Sequence, residues 1–151
     1  MIARRRIYVR RSPSGGSCAP AVVRSASLHC GSAASAVERI VDAYPPARQQ
    51  RVRVQLADSL RAVVAQRLLA RRTGAGRVVA VEVLRVTHAV GALIREKKTA
   101  RIANAIQAGK REGMLPLEKS LADLVRAGEI DAEDARRAAN QPESLAMYLA
   151  R

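Results

Sequence analysis

The run Arg77-Val78-Val79-Ala80-Val81-Glu82-Val83-Leu84 is the clearest structural signal in the sequence. Valine favours strands, and between Arg77 and Leu84 every residue except Glu82 is apolar, whichever face it occupies. Such a run is typical of a strand that is buried on both faces. A carboxylate inside it must find a partner or lie at the end of the strand.

A long helix is predicted upstream of this strand, from residue 47 to residue 70, because apolar residues from Val52 to Val64 recur at helical spacing. The residues Thr73-Gly74-Ala75-Gly76 then form a turn. A shorter helix should begin at Ser32 or Ser35, where Ser35 and Glu38 fit a capping box, and it should end before Pro45.

Short helices are predicted after the strand. Thr87 and Thr99 are candidate N-caps, Pro116 suits a first helical position, and Gly128 suits the C′ position of the same helix. Helices this short must pack on one another or on a larger body. The fold class expected from the whole pattern is α+β and mostly helical.

Composition limits the kind of core that the chain can form. The 151 residues are 48% apolar but include no Phe and no Trp, so the core must be built from Ala, Val, Leu and Ile. No stretch has the uninterrupted apolar length that a bilayer span needs, and we expect a soluble protein. Cys18 and Cys30 form neither a zinc pattern nor a disulfide framework, so no metal site is expected.

The formal net charge is +14 and the pI is about 11.4. A field of this sign attracts polyanions, so a nucleic-acid-binding module is one alternative for the function. An arginine-rich composition typical of GC-rich genomes explains the charge equally well. The scarcity of aromatic residues disfavours a single-strand platform, which stacks bases on rings.

Residues 1–26 form a basic leader, and no acidic residue precedes Glu38. Three hypotheses compete for this segment: a polyanion-binding arm, an export signal, or translated sequence that is foreign to the domain behind it. The export signal is disfavoured because Arg24 interrupts the apolar run that should follow the arginines. We expect a disordered leader, and Ala21-Val22-Val23 with Ser27-Leu28 as the edge of a strand.

No self-contained catalytic motif is present. A P-loop needs G-x-x-x-x-G-K-[ST], yet Gly109-Lys110 is followed by Arg111. The two histidines, His29 and His88, lack a well-placed nucleophile, because Cys30 next to His29 would point to the opposite face of a strand. From the residues alone, each histidine is more often structural or exposed than catalytic.

Several segments, taken together, nevertheless resemble a known family. The chain is similar to the retraction ATPases of type IV pili, the twitching-motility PilT family, and to the related type II secretion ATPases. The similarity lies in segments that occur in the family's order and at the family's spacing. They are Ser27–Ala34, Val37–Pro45, Val52–Val63, Gly76–Leu84 and Ala89–Lys97.

The resemblance implies a fold and a family role. Residues 27–86 would be the last part of a RecA-like α/β core, and residues 87–151 a C-terminal helical bundle. His29 aligns with the family's His box and is the candidate for a nucleotide-linked catalytic role. Leu93, Ile94, Arg95 and Glu96 match the family's A-I-R-x-L-I-R-E motif, although Gly91 replaces its first arginine.

The family consists of hexameric motors at the cytoplasmic face of the inner membrane, driven by ATP and magnesium. Implied partners are sibling subunits and the inner-membrane platform protein of the pilus. The phosphate-binding half of the family is not found in this sequence, so we expect a truncated retraction ATPase that is inactive alone. The alternatives are a nucleic-acid-binding module, whose binding would weaken steeply with salt, and a non-functional remnant.

Overall fold

The computed structural model describes residues 6–10 and 23–150. Two strands, two helices and two further strands form the first half in that order, and helices alone follow. The strands are β1 Arg6–Arg10, β2 Val23–Ser27, β3 Ala62–Ala70 and β4 Arg77–Arg85. The α-helices are α1 Ala33–Asp42, α2 Pro46–Ser59, α3 His88–Arg95, α4 Ile102–Ala108, α5 Leu117–Arg126, α6 Ala132–Ala138 and α7 Pro142–Leu149. The expected α+β, mostly helical class is confirmed.

The centre of the molecule is the antiparallel hairpin β3–β4, paired from Ala62 opposite Arg85 to Ala70 opposite Arg77. The predicted helix from residue 47 to residue 70 is therefore wrong in its second half, because α2 ends at Ser59. Cross-strand pairing with β4 overrides the helical spacing of the apolar residues. From Val63 onward the buried positions alternate, as a half-buried strand requires.

The prediction that β4 is buried on both faces is also wrong. Ala80, Glu82 and Leu84 point to a buried inner face, whereas Val79 on the outer face is 42% exposed. The reason is that only the inner face of this two-stranded sheet is covered by helices in the described residues. The outer face carries Leu68, which is 48% exposed.

Two aliphatic clusters pack on the inner face, one toward each end of the hairpin. The first joins α1, α2, α3 and α4 to the strands through Cys30, Ala33, Ala36, Val37, Val41, Leu56, Leu60, Val63, Leu84, Val90, Ile94, Ile102, Ile106 and Met114. The second joins α5, α6 and α7 through Leu69, Ala80, Leu117, Leu121, Ala122, Ile130, Ala135 and Leu145. Each cluster draws residues from both sides of position 86, where the family resemblance places a domain boundary. That boundary stays a prediction.

The N-cap of α1 differs from the expected capping box. Ser32 Oγ accepts a hydrogen bond from the Ser35 amide at 3.2 Å, and Ser35 Oγ accepts one from the Ser32 amide at 3.0 Å. The box is thus Ser32 with Ser35, not Ser35 with Glu38. Glu38 instead accepts a hydrogen bond from the Thr99 hydroxyl at 2.5 Å. Thr99 consequently caps no helix, contrary to the prediction.

Several other predicted helix ends are found in the structure. Thr87 Oγ1 accepts from the Val90 amide at 3.4 Å and caps α3. Pro116 is the N-cap of α5, one residue before the predicted first helical position, and Gly128 follows the end of α5 with a φ of 70°, a left-handed conformation that suits glycine. Pro46 begins α2, so Pro45-Pro46 ends α1 as expected.

The leader is structured in part. Arg6–Arg10 forms a strand that pairs antiparallel with Val23–Ser27, so the disorder expected for residues 1–26 is wrong for these two segments. The β-branched and aromatic run Ile7-Tyr8-Val9 favours a strand once a partner is available. The rest of the leader, including Cys18, lies outside the described residues. Among the described helices, none is both long and apolar enough to cross a bilayer.

Replacing Leu84 by alanine should lower the free energy of unfolding by about 2–5 kcal/mol, because the fully buried side chain leaves a cavity. Leu68→Ala, on the outer face of the same hairpin, should cost about 0.5 kcal/mol or less. Urea denaturation followed by circular dichroism measures both. Equal losses for the two variants would contradict the division of the hairpin into a buried and an open face.

Candidate functional site

The loop that carries His29 is held against the hairpin by a buried carboxylate. Glu82 on β4 is only 6% exposed, and its Oε2 accepts a hydrogen bond from the Ala33 amide at 2.8 Å. Ala33 is the first residue of α1, so the carboxylate lies at the positive end of the helix dipole. The predicted need of Glu82 for a partner is thereby confirmed, and the partner is a helix N-terminus.

Arg67 on β3 joins the same loop to the C-terminal helices. Its guanidinium donates to the Gly31 carbonyl oxygen at 3.3 Å and also to the Ala138 carbonyl oxygen and to Oδ1 of Asn140. Gly31 lies two residues after His29, whereas Ala138 is the last residue of α6 and Asn140 lies between α6 and α7. The single Arg67 guanidinium therefore connects the loop next to the first aliphatic cluster with the helices of the second.

A second buried carboxylate fixes the start of α7. Glu118 on α5 is 5% exposed, and its Oε1 accepts from the amides of Asn140 and Gln141, both at 3.0 Å. These amides precede Pro142, the first residue of α7. Glu118 therefore accepts backbone hydrogen bonds at the start of α7, as Glu82 does at the start of α1. Each carboxylate satisfies backbone donors that a helix start leaves free.

The two buried carboxylates line one cavity of about 260 Å³, which we call the junction cavity. Its lining brings together the N-termini of α1 and α7: Ser32, Ala34, Glu82, Ala103, Ile106, Gln107, Pro116, Glu118, Asn140 and Gln141. Glu82 and Glu118 are occupied by backbone amides. Within the described residues no cluster of His, Cys, Asp and Glu is suited to hold a metal ion. The cavity lies where the starts of α1 and α7 meet the hairpin and α5.

His29 lies beside this junction but not in its lining. Its side chain is exposed, and its carbonyl oxygen accepts a hydrogen bond from Nη1 of Arg39 at 2.7 Å. Cys30 is buried in the first aliphatic cluster with a free thiol. The imidazole and the thiol thus occupy different environments. A nucleotide-linked role for His29 stays a prediction.

The residues Leu93 to Glu96 end α3, and they pack on α2 rather than on the His29 loop. Leu93 contacts the first cluster and Ile94 is fully buried in it. Arg95 Nη1 lies 3.2 Å from Oδ1 of Asp58 on α2, so these two form an ion pair. Glu96 is exposed and accepts a hydrogen bond from Lys98; that bond and the Lys98 charge lower the pKa of Glu96.

The Arg95 side chain passes next to Gly91. A β-carbon at Gly91 would lie 3.6 Å from Nη1 of Arg95 and 3.6 Å from the Ala57 carbonyl oxygen. The Arg95 side chain therefore runs back along α3 across Gly91 toward Asp58. A long side chain at position 91, such as the arginine of the family motif, would compete for this space.

Sequence reasoning missed Arg67, Glu118 and Asn140. Arg67 fell inside the mispredicted helix, and its inward direction follows only from the strand alternation of Val63, Ala65 and Leu69. Glu118, in the first turn of a helix, carries no signal that it serves a different helix. The partners of Arg67 are 36 to 73 residues away along the chain, so no local pattern points to them.

Comparison with known proteins gives consistent matches. The chain is 44% identical over 119 residues to a twitching motility protein of Neisseria gonorrhoeae, covering 79% of this chain and 32% of the relative. It is 42% identical over 119 residues to the type IV pilus retraction ATPase PilT of Pseudomonas aeruginosa, covering 79% of this chain and 34% of the relative. No protein-family profile matches the sequence.

A solved structure agrees with these relatives. The pilus retraction motor PilT with bound ADP superposes with a TM-score of 0.68 and 34% sequence identity, covering 80% of this chain and 33% of the other. This chain therefore spans about a third of the length of the relatives it matches.

Glu82→Ala should lower the free energy of unfolding by about 1–3 kcal/mol, because the Ala33 amide loses a charge-assisted acceptor inside the protein. Glu82→Gln should cost less, since an amide oxygen can still accept that bond. Urea denaturation of the variants provides the measurement. Glu133→Ala, at an exposed site, is the matched control and should change stability by about 0.5 kcal/mol or less. A Glu82→Ala variant as stable as this control would refute the assignment.

Proposed function

Since this chain is homologous to the C-terminal part of the PilT family of twitching-motility ATPases, we propose that it works as the coupling segment of a PilT-type motor. In this function the loop around His29 responds to the nucleotide state, and the helices α5 to α7 move with it. The observation that carries the proposal is the Arg67 guanidinium, which binds Gly31 of that loop, Ala138 at the end of α6 and Asn140 just after it.

Rigidity supports a coupling role. A displacement of the His29 loop must move Arg67 or break its hydrogen bonds, and the same displacement acts on Glu82 through the Ala33 amide. Both residues belong to the central hairpin, which touches both aliphatic clusters. Packed elements of this kind shift as units, because dense interiors do not deform continuously.

The nucleotide itself is proposed to bind outside this chain. The structure of a similar protein, the pilus retraction motor PilT, contains ADP. The family resemblance implies that such a motor hydrolyses ATP with magnesium. The sequence here has no G-x-x-x-x-G-K-[ST] pattern to cradle phosphates. We therefore assign ATP hydrolysis to the assembled motor and not to this chain alone.

Sibling subunits are the proposed partners, in a hexamer at the cytoplasmic side of the inner membrane, next to the platform protein of the pilus. The outer face of the β3–β4 hairpin supports a docking role. It presents Leu68 and Val79, which are 48% and 42% exposed, next to the half-buried Val64, Val81 and Val83. A row of apolar side chains on an open sheet face is a typical association surface.

Calorimetric titration of the chain with Mg-ATP should give no binding heat, because the sequence has no G-x-x-x-x-G-K-[ST] pattern to bind phosphates. The full-length PilT of Pseudomonas aeruginosa, titrated under the same conditions, serves as the positive control. Binding to this chain in the micromolar range would reveal a phosphate site within it. The assignment of the nucleotide to the assembled motor would then be wrong.

Arg67→Lys should raise backbone deuterium uptake at two places at once, around residues 28–32 and around residues 138–141. A lysine keeps the charge but has a single ammonium group, which cannot hold carbonyl oxygens on both segments with the fixed geometry of a guanidinium. Hydrogen exchange read by mass spectrometry measures the two segments separately.

The matched control for this variant is Arg61→Lys, at an exposed position just before the same strand. It should leave both segments unchanged. Faster exchange near Ala138 with no change near Gly31 would mean that Arg67 does not couple the loop to the helices. The proposed coupling would then be refuted, while the kinship with the family would stand.

A further inference from the structure

A second cavity, of about 540 Å³, opens beside the junction cavity and shares Gln107 and Pro116 with it. We call it the basic groove. Its floor is apolar and its rim is cationic, and its lining consists of Gln107, Lys110, Met114, Leu115, Pro116, Lys119, Arg126 and Tyr148. Its volume lies within the range of about 300–1,000 Å³ that is typical of ligand-binding clefts.

The floor is fixed by its surroundings. Met114 is 6% exposed and packs on Gly109 so closely that a β-carbon at position 109 would lie 2.4 Å from Sδ. Leu115 exchanges two backbone hydrogen bonds with Val83 of β4, at 2.8 and 3.0 Å. The groove therefore keeps its shape without a ligand, which lowers the entropic cost of binding one.

The rim carries more positive charge than its acidic neighbours neutralise. Lys119 and Arg126 share one carboxylate, that of Asp123, at 2.7 and 3.0 Å. Arg126 also donates to the Tyr148 carbonyl oxygen, and Glu112 is exposed nearby on the chain. Lys110 is exposed, and in the described part of the chain no carboxylate forms an ion pair with it. The groove thus presents three cations around an apolar floor with one shared counter-charge.

We propose that the basic groove binds a short acidic peptide segment whose aliphatic side chains enter the groove while its carboxylates face Lys110, Lys119 and Arg126. The floor of methionine, leucine and proline suits aliphatic side chains, and methionine adapts to them readily. A nucleic acid fits less well, because its bases need aromatic stacking partners and Tyr148 is the one aromatic residue in the lining. The proposal does not depend on the motor function.

The test uses a fluorescein-labelled peptide in which leucine and glutamate alternate, titrated into the full chain and followed by fluorescence anisotropy. We expect saturable binding that Lys110→Glu weakens about five-fold, since the charge next to the peptide changes sign. Arg48→Glu makes the same change of charge at an exposed site on α2 and should leave the affinity unchanged. A peptide with lysine in place of glutamate should not bind.

A second variant tests the floor independently of the charges. Gly109→Ala forces Met114 out of its position, while Lys110, Lys119 and Arg126 stay in place. It should also weaken peptide binding, and circular dichroism checks that the variant is folded. Equal weakening by Lys110→Glu and Arg48→Glu would overturn the proposal, because net charge alone would then attract the peptide. Tighter, Lys110-dependent binding of a single-stranded oligonucleotide would overturn it as well.

Discussion

The Glu82 carboxylate lies inside an aliphatic core, where an ionised group is costly unless hydrogen-bond donors meet it. The start of α1 supplies the donor, because the first amides of a helix have no partner within the helix. One contact therefore satisfies two groups that would each be unfavourable alone. It also fixes where α1 begins, and with α1 the loop from His29 to Ser32. The position of this loop relative to the hairpin depends on that contact.

The composition explains why so much depends on the hairpin. Without Phe or Trp, the core must be built from many small aliphatic contacts. Two clusters result, each resting on one end of the inner face of β3–β4. Polar side chains take over the long-range links: Glu82 to α1, Arg67 to Gly31 and Asn140, and Glu118 to α7. The specificity of the fold lies in these few directional bonds.

Much of the fold could be predicted from local pattern, and the failures have physical causes. The Thr87 cap, Pro46, Pro116 and Gly128 act through neighbouring backbone, so their effect is visible in the sequence. Strand β3 was mistaken for helix because its register is set by β4, which no local period reports. Of the site, the sequence indicated that Glu82 needs a partner and that the His29 loop resembles a family motif. Arg67 and Glu118 act across the fold and gave no local signal.

The link between the His29 loop and the last helices depends on hydrogen bonds from Arg67 to backbone atoms. Arg67 binds backbone carbonyl oxygens of Gly31 and Ala138, which any residue at those positions would offer. The link therefore tolerates substitutions in the loop, including Cys30 and Gly31 themselves, provided that Arg67 and the loop geometry persist. By the family resemblance, Cys30 stands in place of a threonine and Gly31 in place of an asparagine, and these replacements change side chains but not the backbone oxygen that Arg67 binds. They leave intact the route by which a movement of the loop would reach α6 and α7.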